Sequence, residues 1–91
     1  MKTAAEAAAK RVIHMERLFD TLQAAWQHDP CSLREDDALR AQMNTLTDYL
    51  GSGQWLADYA LDEQGAFSPE LKRGVLSEDG LYNFLLETHS L

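Results

Sequence analysis

The sequence predicts a small all-α domain of three principal helices and one short helix, with a long N-terminal helix packed along the rest. Two apolar repeats carry this prediction, because side chains three and four positions apart share one face of a helix. The first repeat consists of Ala8, Val12, Met15, Phe19, Leu22 and Trp26. The second consists of Leu39, Met43, Leu46 and Leu50. No alternating apolar and polar run is long enough to predict a β-strand.

The length of the chain favours a single domain. Its 91 residues lie near the lower end of sizes that fold unaided, so we expect one modest core within residues 1–91. Apolar residues make up 45% of the chain and charged residues 25%, which is the balance of a globular protein rather than a disordered one.

The net charge of −7 is unevenly distributed. Residues 1–31 are neutral overall, whereas residues 32–91 contain eleven acidic side chains and four basic ones. The four basic residues are Arg34, Arg40, Lys72 and Arg73. Such an excess of negative charge repels phosphate backbones, so direct binding to nucleic acid is not expected.

The single cysteine, Cys31, cannot form a disulfide within the chain, which favours a reducing compartment. Glu6, Lys10 and Arg11 interrupt the alanine-rich start, so it lacks the apolar core of a secretory signal. No stretch approaches the roughly 18 apolar residues of a transmembrane helix. We therefore expect a cytoplasmic protein that does not bind a membrane.

The N-terminal helix is expected to span residues 3–27 and to end before Pro30, which cannot continue a helix. At this length it would measure ~37 Å, whereas a compact domain of this size is roughly 26 Å wide. Its first turns should therefore overhang, fray or pack on another subunit. A homodimer through this helix is an open alternative.

Local start and stop signals divide the rest of the chain. Ser32 and Glu35 have the spacing of a capping box, which predicts the start of the second helix. Gly51 is the expected left-handed residue after the end of that helix. A short third helix should run from about Trp55 until Gly65 stops it.

The segment 72–79, KRGVLSED, joins a basic pair, a glycine, an apolar pair and a helix-start signal. The apolar pair, Val75 and Leu76, is expected to point into the core. Ser77, followed by two acidic residues, predicts the start of the last helix.

Two motifs in this part of the chain carry a family resemblance. The first is W-x-x-D-Y, here Trp55, Asp58 and Tyr59, and the second is GVLSED at residues 74–79. Asp62, Glu63, Gly65, Leu71, Leu81, Tyr82 and Leu85 accompany them. With these residues the chain resembles the bacterial domain-of-unknown-function family 4298. The resemblance implies a helical fold, a family-like core at about residues 32–88, and a bacterial or phage origin. The function of the family is unknown, so the resemblance transfers no catalytic residue.

Charged and aromatic residues are expected to meet near the junction of the third and last helices. This set contains Trp55, Asp58, Tyr59, Asp62, Glu63, Lys72, Arg73, Ser77, Glu78 and Asp79. We favour a structural clasp, in which Lys72 or Arg73 pairs with Asp58 or Asp62 and holds the loop between them. The alternatives are a binding site and a hard-cation site on the same residues, although their spacing matches no calcium loop.

The aromatic residues offer a second candidate site. Trp26, Tyr49, Trp55, Tyr59 and Tyr82 could line a ligand pocket. Aromatic residues at helical spacing in a small domain more often form its core, however, and we favour that interpretation.

Reactive and metal-binding patterns are weak. Cys31 and His28 resemble half of a nucleophilic pair, but no third orienting group accompanies them. His14, His28 and His89 lack the spacing of zinc ligands. We therefore predict no catalytic residue, no cofactor and no metal.

Three functions follow from these patterns. We favour a non-enzymatic interaction or regulatory module that binds another protein, because the chain offers helical faces and an acidic surface without assembled chemistry. A second hypothesis is an acidic decoy that mimics nucleic acid and inhibits a nucleic-acid-binding partner, as anti-defence inhibitors do. A third is a small enzyme or ligand-binding protein that uses the region of Trp55 and Asp58, which requires an open pocket there.

Overall fold

The structure, a computed structural model, describes residues 4–72, 74–77 and 80–89, and these ranges contain helices but no strand. The elements are α1 (Ala4–His28), α2 (Ser32–Glu35), α3 (Asp37–Gly51), α4 (Gln54–Glu63), a 3-10 turn (Gly74–Leu76) and α5 (Gly80–His89). The predicted all-α class is confirmed. None of the helices in the described ranges combines the length and the apolar composition needed to cross a membrane.

Helix α1 is the longest element, and its predicted apolar stripe is buried. Val12 and Leu22 are 0% exposed, and Phe19 is 4% exposed. The molecule measures 41 × 24 × 24 Å, so α1 exceeds its two shorter dimensions, as expected. Ala8 is only 1% exposed, however, so the rest of the molecule already covers α1 from its second turn.

The predicted second helix is divided in two, which corrects the capping-box prediction. The Ser32 hydroxyl donates to the carbonyl of Asp29 at 2.7 Å instead of capping a long helix. After the single turn of α2, Asp36 adopts an extended conformation and its side chain accepts a hydrogen bond from the backbone N–H of Leu39 at 3.1 Å. Asp36 therefore caps α3, because a carboxylate satisfies an unpaired amide of the first turn.

The turn between α3 and α4 places its left-handed residue later than predicted. Gly51 belongs to α3, and Ser52 closes that helix by donating its backbone N–H to the carbonyl of Asp48 at 2.8 Å. The left-handed residue is Gly53, with φ of 91°. The predicted stop after α4 is confirmed, because α4 ends at Glu63 and Gly65 has φ of 74°.

The segment before α5 fills the core as predicted. Val75 and Leu76 are 0% and 3% exposed. Phe84 of α5 packs edge-on against Phe19, with ring centroids 5.4 Å apart. The described part of α5 begins at Gly80, whose N–H donates to the carbonyl of Ser77 at 3.2 Å. The predicted start of this helix at Ser77 involves Glu78 and Asp79, which lie outside the described residues.

Candidate functional site

The carboxylate of Asp58 lies at the centre of the predicted site and is 0% exposed. Arg11 of α1 donates from Nε to Oδ2 at 2.9 Å and from Nη2 to Oδ1 at 2.5 Å. The Tyr49 hydroxyl of α3 donates to Oδ2 at 2.6 Å. Three helices therefore meet at one buried carboxylate, which we call the Asp58 cluster (Arg11, Tyr49 and Asp58).

The pKa values of Arg11 and Tyr49 are both raised in the Asp58 cluster. The hydrogen bond to Asp58 raises the pKa of Arg11. Burial, and then the hydrogen bond to Asp58, raises the pKa of Tyr49 above its ordinary value of 10.0. At neutral pH the cluster therefore contains a charged guanidinium and a protonated phenol.

The predicted partners of Asp58 require a correction. Asp58 pairs with Arg11 of α1, not with Lys72, because Lys72 lies beside α1, where its Nζ is 3.6 Å from Oδ2 of Asp20. Both side chains of the Lys72–Asp20 pair are more than half exposed. Arg73 lies outside the described residues, as do Glu78 and Asp79.

Two side chains hold the 3-10 turn, namely Trp55 of the predicted set and Glu16, which sequence reasoning did not single out. The buried carboxylate of Glu16 on α1 accepts a hydrogen bond from the backbone N–H of Val75 at 2.7 Å. The indole Nε1 of Trp55 on α4 donates to the carbonyl of the same residue at 2.8 Å. We call Glu16, Trp55 and Val75 the Val75 clasp.

Neighbouring residues support the Val75 clasp. Tyr59 stacks on Trp55, with ring centroids 5.1 Å apart and planes 20° from parallel. A Cβ at Gly74 would lie 2.9 Å from Oε1 of Glu16, so the absence of a side chain there lets the carboxylate approach the turn. The stack of Tyr59 on Trp55 and the absence of a side chain at Gly74 both favour the observed position of Val75.

The remaining described residues of the predicted set differ in burial. Asp62 is half-buried, and Glu63 and Ser77 are exposed. The five aromatic residues are likewise divided: Tyr49 is buried, Trp26, Trp55 and Tyr59 are half-buried, and Tyr82 is 55% exposed. Tyr49 therefore belongs to the core, Trp26 and Trp55 pack against it, and Tyr82 lies on the surface.

Sequence reasoning missed Arg11 and Glu16. Glu16 lies four positions after Val12 and three before Phe19, so it occupies the buried face of α1. A carboxylate at such a position is a signal that could have been found, because a buried charge needs a partner.

The chemistry that these groups can perform is limited by their enclosure. Both oxygens of Asp58 accept hydrogen bonds inside the core. Within the described ranges, no group of three or more His, Cys, Asp or Glu side chains is arranged to hold a metal ion. Cys31 is an exposed free thiol. The Asp58 cluster joins α1, α3 and α4, and the Val75 clasp joins α1 and α4 to the 3-10 turn.

Large apolar side chains remain exposed on the outside of the molecule. Tyr82 and Leu86 of α5 are 55% and 53% exposed. They lie four positions apart and so form one ridge on the helix, which we call the α5 ridge. Leu56 of α4 and Ile13 of α1 are also exposed, at 63% and 40%.

The comparisons with known proteins agree with the family resemblance. No curated protein and no solved structure shows significant similarity to the chain. The model of a family described as "Domain of unknown function (DUF4298)" matches residues 12–91, which covers most of the chain. The protein therefore belongs to the DUF4298 family.

Proposed function

We propose that the protein is a non-enzymatic interaction module that binds another protein through the α5 ridge. The observation that carries this proposal is that α5 has apolar side chains on its outer face as well as on its inner face. Leu81, Phe84 and Leu85 attach the helix to the core, while Tyr82 and Leu86 face solvent. An apolar pair that is more than half exposed on the outer face offers two anchors to a partner.

The charge of the C-terminal part of the sequence indicates the chemistry of the partner. The sequence has no lysine or arginine after Arg73, whereas Glu78, Asp79 and Glu87 are acidic. A partner with an apolar groove and a basic rim would complement this segment. In this mode of recognition, one helix face enters a groove and side chains one turn apart provide the anchors.

The acidic-decoy function has weaker support. It requires exposed carboxylates grouped on one face, but exposed acidic residues occur on α1, α3, α4 and α5. Some of them already have local roles: Asp36 caps α3, and Asp37 pairs with Arg40 at 2.7 Å. We therefore place the decoy second.

The ligand-binding or enzymatic alternative depended on an open carboxylate at Asp58. That carboxylate is enclosed, and Trp55 uses its indole N–H to hold Val75. The geometry of this region thus supports a structural role better than a substrate site.

A homodimer through α1 would need exposed apolar surface on this helix, but most of its apolar surface is already buried against the rest of the chain. Its stripe is buried from Ala8 to Leu22, and Ile13 is its large exposed apolar side chain in the described ranges. Light scattering at several protein concentrations would test this alternative. For the proposed module we infer a cytoplasmic location in a bacterium or a phage-infected cell, supported by the single cysteine.

Affinity capture from the organism that encodes the protein tests the proposal. The bait is the full chain, and the test variant is Tyr82→Ser with Leu86→Ser. Ile13→Ser with Leu56→Ser is the matched control, because it also removes two exposed apolar side chains. We expect one protein to be retained by the wild type and by the control but lost with the test variant.

The strength of that capture should also fall as salt increases, since salt screens an acidic helix from a basic rim. Retention that is equal for both double variants would contradict the α5 ridge. Failure of the wild type to retain any protein reproducibly would contradict the interaction module itself.

A further inference from the structure

A cleft of about 390 Å³ lies between α2, the first half of α3 and the end of α5. This volume falls within the range of roughly 300–1,000 Å³ that small-molecule sites occupy. Leu33, which is buried, and Met43, which is half-buried, supply apolar surface to its wall. The cleft does not include any member of the Asp58 cluster or the Val75 clasp.

Charged side chains of both signs line this cleft. Two of the four basic residues in the acidic segment 32–91, Arg34 and Arg40, line it. Asp37 also lines the cleft, so the three charged side chains leave a formal excess of one positive charge.

The arrangement of α3 presents the polar groups together. Asp37, Arg40 and Asn44 are separated by three and four positions and therefore share one helix face. Asp37 accepts a hydrogen bond from Nη2 of Arg40 at 2.7 Å, which orients the guanidinium. A guanidinium has five N–H donors in a planar fork, so one such bond leaves donors for a second acceptor.

We propose that this cleft binds a small monocarboxylate with a short apolar body. Arg40 would receive the carboxylate, because a guanidinium group matches its two oxygens. Leu33 and Met43 would contact the apolar body, and the Asn44 amide would fix its orientation. This site is independent of the α5 ridge, so it does not rest on the proposed interaction function.

Phenylacetate is a suitable probe for this site. In a titration of the 15N-labelled full chain followed by NMR, phenylacetate should shift the backbone amides of α2, the first half of α3 and Thr88, and the shifts should saturate. 2-Phenylethanol has the same ring without the carboxylate and should bind at least about tenfold more weakly, as expected for the loss of charge-assisted hydrogen bonds. Inorganic phosphate tests whether any anion suffices.

Arg40→Gln should weaken phenylacetate binding at least about tenfold. Arg17→Gln is the matched control, since it removes one exposed positive charge from α1 and should leave binding unchanged. If Arg40→Gln lowers the helical circular dichroism signal, Arg40→Lys, which keeps the charge but removes the planar fork, provides the same test.

Three results would overturn the proposal. The first is the absence of saturable shifts with phenylacetate. The second is an equal loss of binding in Arg17→Gln and Arg40→Gln, which would indicate general charge attraction. The third is phosphate or 2-phenylethanol binding as tightly as phenylacetate, because the ligand would then not be a carboxylate with an apolar body.

Discussion

Arg11 on α1 and Asp58 on α4 form a two-point ion pair although 47 positions separate them in the sequence. The Arg11 side chain is 31% exposed and the Asp58 side chain is 0% exposed. The two partners are thus unequal, because Arg11 can still reach water and Asp58 cannot. Asp58 depends on Arg11 and Tyr49 to compensate for its loss of hydration.

Replacement of Asp58 should destabilise the fold strongly. We expect Asp58→Ala to lower the free energy of unfolding by about 3 kcal/mol, because it leaves the Tyr49 hydroxyl and the Arg11 guanidinium without their acceptor. Urea denaturation followed by circular dichroism measures the change. Asp48→Ala on α3, which removes an exposed carboxylate, is the control and should change stability by less than about 0.5 kcal/mol. Equal midpoints for both variants would show that the Asp58 cluster does not stabilise the protein.

The protein should lose stability at alkaline pH because of Tyr49. Its folded-state pKa is raised by burial above the ordinary value of 10.0. The stabilisation from the protonated phenol is therefore fully present below about pH 10 and is lost as the pH rises toward the folded-state pKa, since the unfolded chain then releases the proton more readily.

Urea midpoints at pH 8 and pH 11 test this pH dependence. Tyr49→Phe should be less stable than the wild type at pH 8 but should show a smaller decrease between the two pH values. Tyr82→Phe removes an exposed phenol and should retain the wild-type decrease. If Tyr49→Phe loses as much stability as the wild type between pH 8 and pH 11, Tyr49 is not the responsible group.

A methyl group at Gly74 should disturb the Val75 clasp. Its Cβ would lie 2.9 Å from Oε1 of Glu16, so the carboxylate must move and weaken its hydrogen bond to the Val75 N–H. We expect Gly74→Ala to cost about 1–2 kcal/mol of unfolding free energy. Gly51→Ala is the matched control, because no atom lies within 4 Å of its added Cβ and the residue is helical.

Gly51→Ala should leave stability unchanged or raise it by up to about 1 kcal/mol, as alanine favours a helix over glycine. In a Glu16→Ala background, Gly74→Ala should cost much less than in the wild type, because the two changes act on one contact. Additive costs in the double variant would contradict the proposed contact.

The indole N–H of Trp55 should contribute measurably to stability. Trp55→Phe removes the hydrogen bond to the Val75 carbonyl and alters the stack on Tyr59, so we expect a loss of about 1–2 kcal/mol. Trp26→Phe is the comparison, since Trp26 is also half-buried, and no hydrogen bond from its ring occurs among the described residues. A larger loss of stability for Trp26→Phe than for Trp55→Phe would contradict the importance assigned to the Trp55 hydrogen bond. Chemical denaturation with tyrosine or circular dichroism detection gives both values.

The sequence predicted the helices well where the signal is local. The spacing of Val12, Phe19 and Leu22, at seven and three positions, defines one buried face of α1 without knowledge of the helices that pack on it. Helix ends were harder to predict, because neighbouring residues compete for the same role. Ser32 and Asp36 both suit a cap, and only their backbone conformations select Asp36.

The site was predicted in part, and its errors have a common physical cause. The sequence indicates that Asp58, Trp55 and Val75 are important. It predicts, however, that Asp58 or Asp62 pairs with Lys72 or Arg73, which follow the third helix in the chain. The actual partner of Asp58 is Arg11, which is brought there by the packing of α1 on α4. Pairing across such distances depends on the direction in which helices cross, which no spacing within one helix specifies.

The order in which the chain is synthesised gives these contacts a further consequence. Glu16 binds Val75, 59 positions later, and Arg11 binds Asp58, 47 positions later. Contacts between distant positions cannot form until the intervening chain has been made and its loop has closed. On the ribosome, the part of the α1 stripe that packs against the 3-10 turn and α5 therefore stays uncovered until synthesis has passed Val75. A nascent chain that stalls before α4 would present that stripe to chaperones or to other nascent chains.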